Sequence, residues 1–121
     1  MYSKKLLQYF KNPKNVGKIK NPDAIGEAGN PMCGDIMKMY LKINDNKIID
    51  AKFETLGCGA AIAMSSRVTE LIKGKTIQKA MKLKAQDVAE GFDLPKQKYH
   101  CSILGIEALQ KAIENYEKKS G

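Results

Sequence analysis

Alternation of apolar and polar positions marks out a β-hairpin in the first half of the chain. In Met37-Lys38-Met39-Tyr40-Leu41-Lys42-Ile43 every second residue is apolar, and the alternation repeats in Ile49-Asp50-Ala51-Lys52-Phe53-Glu54. Asn44-Asp45-Asn46 between them supplies turn chemistry, so the pattern predicts an antiparallel hairpin with one wet face. After Gly57-Cys58-Gly59 the period lengthens: Ala61, Met64, Val68, Leu71 and Ile72 fall on one helical face, with Gly74 as the stop. Shorter helical pieces are expected near 76–83 and 85–90. Leu94-Pro95 breaks them, and Ile106, Leu109, Ile113 and Tyr116 form the buried stripe of a last helix.

Ahead of the hairpin, residues 3–10 read as a short amphipathic helix with Leu6, Leu7 and Phe10 on a shared face. Asn12-Pro13 ends it, because a residue before proline is pushed out of the helical region. From 12 to 34 the chain carries Pro13, Gly17, Pro22, Gly26, Gly29, Pro31 and Gly34, which predicts a long irregular segment with a brief edge strand around 24–28. A helix, then strands, then helices, without alternating strand–helix–strand units, predicts an α+β fold. Its expected architecture is a small antiparallel sheet of about three strands with the helices packed on one face, all within one domain over residues 1–121.

Composition narrows the function classes. No apolar run reaches membrane-span length, and the start of the chain lacks a signal-peptide core, so the expected location is the cytoplasm. Thiols stay reduced there, and three cysteines, an odd number, argue against a disulfide framework. The net charge of +8 raises the question of nucleic acid. Arg67 is the only arginine, however, the lysines are scattered from Lys4 to Lys119, and aromatic residues make up 7%. Base reading leans on arginine and single-strand binding on stacked aromatics, so a solvated lysine surface explains the charge better.

The chemistry lies with the cysteines. Cys33 stands on the turn into the hairpin, Cys58 between the second strand and a helix, and Cys101 between the final loop and the last helix, directly after His100, the only histidine. All three are expected at element ends, where structural thiols are less at home than on a strand face or helix stripe. Cys58 and Cys101 precede predicted helices, whose N-terminal partial charge favours the thiolate, the form that binds metal or attacks sulfur. Spacings of 25 and 43 residues match no zinc-finger signature, so any shared site must be assembled by the fold. One exposed end of the domain can gather Cys33, Cys58, His100 and Cys101, with Asp35 two residues beyond Cys33 and able to share its side of a strand. Asp35 reads equally well as a turn or capping carboxylate. Three thiolates, an imidazole and a carboxylate suit an iron–sulfur cluster or zinc. A carboxylate is a harder and weaker partner for such a cluster than a thiolate, so a site that includes it holds its cluster loosely.

These residues resemble the iron–sulfur cluster assembly scaffold family, the IscU proteins and the related N-terminal domain of NifU. The likeness extends from Tyr2 to about Tyr116. Its carriers include Asn12-Pro13-Lys14-Asn15-Val16-Gly17, Cys33-Gly34-Asp35-Ile36-Met37-Lys38, Gly57-Cys58-Gly59-Ala60-Ala61-Ile62-Ala63 and Lys98-Tyr99-His100-Cys101-Ser102-Ile103-Leu104. The resemblance implies a SufE/NifU (IscU)-like fold. The implied activity is to accept persulfide sulfur from a cysteine desulfurase, take up iron, build a two-iron (2Fe-2S) cluster and pass it to apo-proteins. It also implies that Cys33, Cys58 and Cys101 are cluster ligands and sulfur acceptors, that His100 is the alternative or fourth ligand, and that Asp35 keeps the cluster labile. Lys98 would lie near the site and offset thiolate charge. The same group binds zinc in this family, and a cluster shared across a homodimer stays open. There is one departure. Where many bacterial members carry Leu-Pro-Pro-Val-Lys, the peptide gripped by their DnaK-like chaperone, this chain has Leu94-Pro95-Lys96-Gln97-Lys98, which argues against chaperone-assisted release.

Two other functions compete for the same residues. One is a structural or regulatory zinc protein. The other is a thiol enzyme with Cys101 as nucleophile, His100 as base and Asp35 as orienter; it is disfavoured because sequence neighbours usually point apart, whereas a triad needs mutual hydrogen bonds.

Overall fold

The structure is a computed structural model that describes residues 3–30 and 34–120. Three antiparallel strands, β1 (Ala24–Asn30), β2 (Asp35–Asn44) and β3 (Lys47–Leu56), form a sheet in the order β1-β2-β3. α1 (Lys4–Lys11) precedes the sheet. After it come α2 (Gly59–Ile72), α3 (Ile77–Met81), α4 (Ala85–Ala89), a 3-10 turn (Lys96–Lys98) and α5 (His100–Ser120). α2 lies against β3 and α5 against β1 and β2, while α1 packs on α2, and α4 on both long helices. This is the expected α+β arrangement. None of the helices is long and apolar enough to cross a membrane, among the described residues.

The hairpin turns through Asp45 and Asn46, both at positive φ, the geometry that matches the twist of a two-residue hairpin loop. Met37, Met39, Leu41 and Ile43 of β2 are buried, as the alternation requires. On β3 the expectation needs correction at one end. Asp50 pairs with Lys42 but Ile48 pairs with Ile43, so Ile49 is an extra residue in a bulge. Ile48 therefore turns into the core and Ile49 is 52% exposed, the reverse of a strict alternation through Ile49. The outer face is not uniformly wet either. Tyr40 is buried there, its hydroxyl donating to Glu54 Oε1 at 2.6 Å with Lys38 Nζ 5.7 Å from the ring centroid.

α5 meets β1 at Gly26, where a Cβ would stand 2.8 Å from Ala112 Cα and still closer to the Ala108 carbonyl oxygen and the Ala112 nitrogen. Only glycine permits that approach. α1 differs from expectation in that Leu6 alone is buried, whereas Leu7 and Phe10 are partly exposed. Its start is fixed by Ser3, whose hydroxyl caps Leu6 N at 3.2 Å and donates to the Phe92 carbonyl. The Phe92 ring lies edge-on to Tyr9, with their centroids 4.9 Å apart. The irregular stretch after α1 is stitched down at the free edge of β3. Gly17 N donates to Phe53 O at 2.8 Å and Phe53 N to Asn15 O at 3.0 Å; Lys14 N donates to Ser66 Oγ and Asn15 Nδ2 to Thr69 Oγ1 on α2. The Asn12–Gly17 motif thus closes a sheet edge that would otherwise offer unpaired backbone.

Candidate metal centre

The site forms where β2 begins, β3 has just ended and two helices start. Asp35 is the first residue of β2, Cys58 the N-cap of α2, and His100 and Cys101 open α5. Cys101 was expected between loop and helix; it lies within the first helical turn. Cys33 falls outside the described residues.

Three donors converge among the described residues: a carboxylate oxygen of Asp35 and the sulfurs of Cys58 and Cys101 all lie within 4.8 Å of one another. The two sulfurs are 3.8 Å apart, and Cys101 Sγ is 3.9 Å from Asp35 Oδ2. Two thiolates on one tetrahedral ion at about 2.3 Å each would sit about 3.8 Å apart, so the spacing fits a soft or borderline metal centre. His100 Nε2 joins from the α5 side, 2.9 Å from Asp35 Oδ2 and 3.7 Å from Cys101 Sγ. Asp35 Oδ1 also accepts from the Cys58 backbone N–H at 3.4 Å, so this one carboxylate touches all three other members. The reading of Asp35 as a mere turn carboxylate is set aside, since it is 4% exposed and turned into the cluster.

The expectation of an exposed site holds only in part. Cys58 is half-buried, but Cys101 is fully buried. Burial pushes the Cys101 thiol well above the ordinary range, the Cys58 sulfur and the Asp35 carboxylate raise it further, and Lys98 pulls the other way. The helix N-terminus was expected to favour thiolate here; desolvation outweighs it. Lys98 is close enough for its charge to register, as the sequence likeness implied.

His100 and Cys101 are adjacent yet do face one cluster, contrary to the expectation for sequence neighbours. They still do not form a triad. The nitrogen facing Cys101 is the same Nε2 that meets Asp35, while Nδ1 is held 3.0 Å from the Gln97 carbonyl. A triad base needs one nitrogen for the nucleophile and the other for its orienter. Both ring nitrogens are thus engaged, Nε2 by Asp35 and Nδ1 by the Gln97 carbonyl, and neither is set apart to serve the thiol.

The glycines on both sides of Cys58 read in the sequence as removing bulk around the sulfur; the structure gives the one before it a different neighbour. A Cβ on Gly57 would overlap Asp35 Oδ1 and lie 3.1 Å from its Cγ. The flanking glycines were visible as a signal, but not which group fills the space.

The fold and this donor set define a class: a small α+β protein whose thiols, delivered by separate loop–helix junctions, meet a carboxylate and an imidazole in one cluster that could hold a metal ion. A protein-family model described as the NifU-like N terminal domain matches residues 1–121. The chain is 54% identical over 122 residues to iron-sulfur cluster assembly scaffold protein IscU 1 of Archaeoglobus fulgidus, spanning 100% of this chain and 80% of that one. It is 48% identical to iron-sulfur cluster assembly scaffold protein IscU of Escherichia coli strain K12, spanning 98% and 95%. The crystal structure of a nitrogen-fixing NifU-like protein (N-terminal) from Brucella abortus superposes with a TM-score of 0.75 over 97% of this chain and 94% of the other. At 21% identity that likeness speaks for the fold. The chain belongs to the NifU-like N-terminal domain family, within which the IscU scaffolds fall.

Proposed function

We propose that this chain is a scaffold on which iron–sulfur clusters are assembled and from which they are handed on. The observation that carries this reading is the convergence of Cys58, Cys101 and Asp35 from three separate segments, in a member of this family. Residues 1–121 act as one scaffold domain in the cytoplasm. Sulfur arrives as a persulfide on a cysteine desulfurase. An acceptor thiolate attacks the outer sulfur, a new S–S bond forms, and the donor cysteine leaves as thiolate. Cys58, the half-buried thiol, is the more accessible of the two described acceptors, with Cys33 as a third. Two electrons per sulfur from an external reductant, a thiol or an electron-carrier protein, cleave the new S–S bond to give sulfide and free the thiolate; Cys33, Cys58 and Cys101 then hold a 2Fe-2S cargo, with Asp35 or His100 at the remaining position.

Asp35 gives the cargo its lability. An oxygen donor among thiolates is the weakest link, and the contact between Asp35 and His100 gives both side chains an alternative partner when the cargo leaves. Apo iron–sulfur proteins are the recipients. Lys96 and Gln97 replace the second proline and valine of the chaperone-binding peptide, and release proceeds by exchange with the recipient. The test is anaerobic reconstitution with ferrous iron, sulfide and a thiol. Visible sulfur-to-iron charge-transfer bands with iron and acid-labile sulfide in equal amounts are expected. Stoichiometric zinc that blocks iron uptake would overturn the scaffold reading in favour of a zinc protein.

A further inference from the structure

Gly57 is not in the left-handed region, so its backbone does not demand glycine. Space does. The volume a side chain would take is already filled by the Asp35 carboxylate, with Oδ1 overlapping the Cβ position and Cγ at 3.1 Å, and the Ala61 methyl closes the far side at 3.3 Å. The neighbouring glycine differs: the three atoms nearest a Cβ on Gly59 all belong to the Phe10 ring, at 3.0–3.2 Å, and Phe10 is 44% exposed. The carboxylate beside Gly57 cannot give way so easily, being buried and bonded to the Cys58 amide and to His100.

We propose that Gly57 is a positioning residue for Asp35: its missing side chain is the seat that lets the carboxylate reach the Cys58 amide, His100 and Cys101 together. A methyl group there moves Oδ1 by about 1 Å to restore ordinary contact, enough to break the 3.4 Å bond to Cys58 N. Gly57→Ala then leaves Asp35 present but misplaced, and acts on the site as removal of Asp35 does. This inference rests on the scaffold reading only for its effect on the cargo; the seat itself is a property of the metal-free protein.

The test is a double-mutant cycle on the full chain. In metal-free protein, Gly57→Ala is expected to lower the Tm by about 5–10 °C, the usual consequence of overpacking. In the Asp35→Ala background, where the seat is empty, the same change should cost less than about 2 °C. Gly59→Ala, the control, should cost the same in both backgrounds. An equal loss from Gly57→Ala in both backgrounds overturns the proposal. If Gly57→Ala alone does not fold, recovery of a cooperative transition in the double variant supports the seat, and failure to recover it overturns it. The second readout is loss of reconstituted iron to a chelator. Gly57→Ala should slow it as Asp35→Ala does, with no further slowing in the double variant. Slowing by Asp35→Ala but not by Gly57→Ala overturns the seat. Temperature coupling without any effect of Asp35→Ala on iron loss keeps the seat and removes the proposed role of Asp35 in release.

Discussion

Removing the Asp35 carboxylate should move two properties in opposite directions. In the metal-free protein Asp35→Ala deletes the 2.9 Å contact with His100 Nε2 and the 3.4 Å bond from the Cys58 amide. A hydrogen bond to a charged partner contributes roughly 1.5–3 kcal/mol, and the longer amide bond about 0.5 kcal/mol. Relief from holding a carboxylate that is 4% exposed offsets part of this. The net loss is about 1–2 kcal/mol, or roughly 4–8 °C in Tm for a chain of this size. The cargo behaves the other way. With Asp35 gone, His100 Nε2 is freed from its acceptor and can serve as a nitrogen donor, a better match for iron–sulfur chemistry than carboxylate oxygen. A gain of only about 1 kcal/mol at the barrier slows loss about fivefold. The assay is paired: thermal unfolding of the metal-free protein, and decay of the visible bands after anaerobic addition of a chelator. A variant as stable as the parent that surrenders iron equally fast would refute both halves of the reasoning.

Other predictions follow from neighbouring features. Alkylation at neutral pH with peptide mapping should modify Cys58 well before Cys101, because the latter is fully buried and its thiol is held protonated by burial; equal rates would contradict the geometry. Gly26→Ala should cost at least about 3 kcal/mol, read by denaturant unfolding, since its Cβ would collide with α5 backbone that cannot rotate aside. Tyr40 is pushed up to about 12, chiefly by burial and then by its bond to Glu54. Its unfolded-state phenol ionises near 10, so the stabilising contribution is intact below pH 10 and is lost as pH rises from about 10 to 12. Titration of phenolate absorbance should show a component ionising near 12 that is absent in Tyr40→Phe.

Periodicity revealed the elements well because the sheet is covered on one side only. Met37, Met39 and Leu41 face the helices while Lys38 and Lys42 face outward, a contrast strong enough to read directly. It misplaced Ile49, because a bulge inserts a residue without any glycine or proline to announce it. It also overstated α1, whose Leu7 and Phe10 stay partly exposed. Asp35, Cys58, His100 and Cys101, which the fold brings together, were legible as candidates from their types and positions near element ends. The balance of forces on them was not. Burial of Cys101 depends on how α5 seats against the rest of the core, and the Gly57 seat on the distance between two strand ends, neither of which leaves a local pattern. The Asn15-Val16-Gly17 edge closure had a faint signal in residues that tolerate positive φ, which Asn15 and Gly17 both adopt.

A centre with an oxygen donor among its thiolates should grip a cluster loosely enough to give it up whole. The direct measurement is anaerobic transfer from the reconstituted chain to an apo-ferredoxin, followed by circular dichroism, with a chelator present to intercept free iron. The recipient's cluster signal should rise as the scaffold's falls, and the chelator should take little. A cluster that stays on the chain, or iron that reaches the recipient only when the chelator is left out, would contradict it.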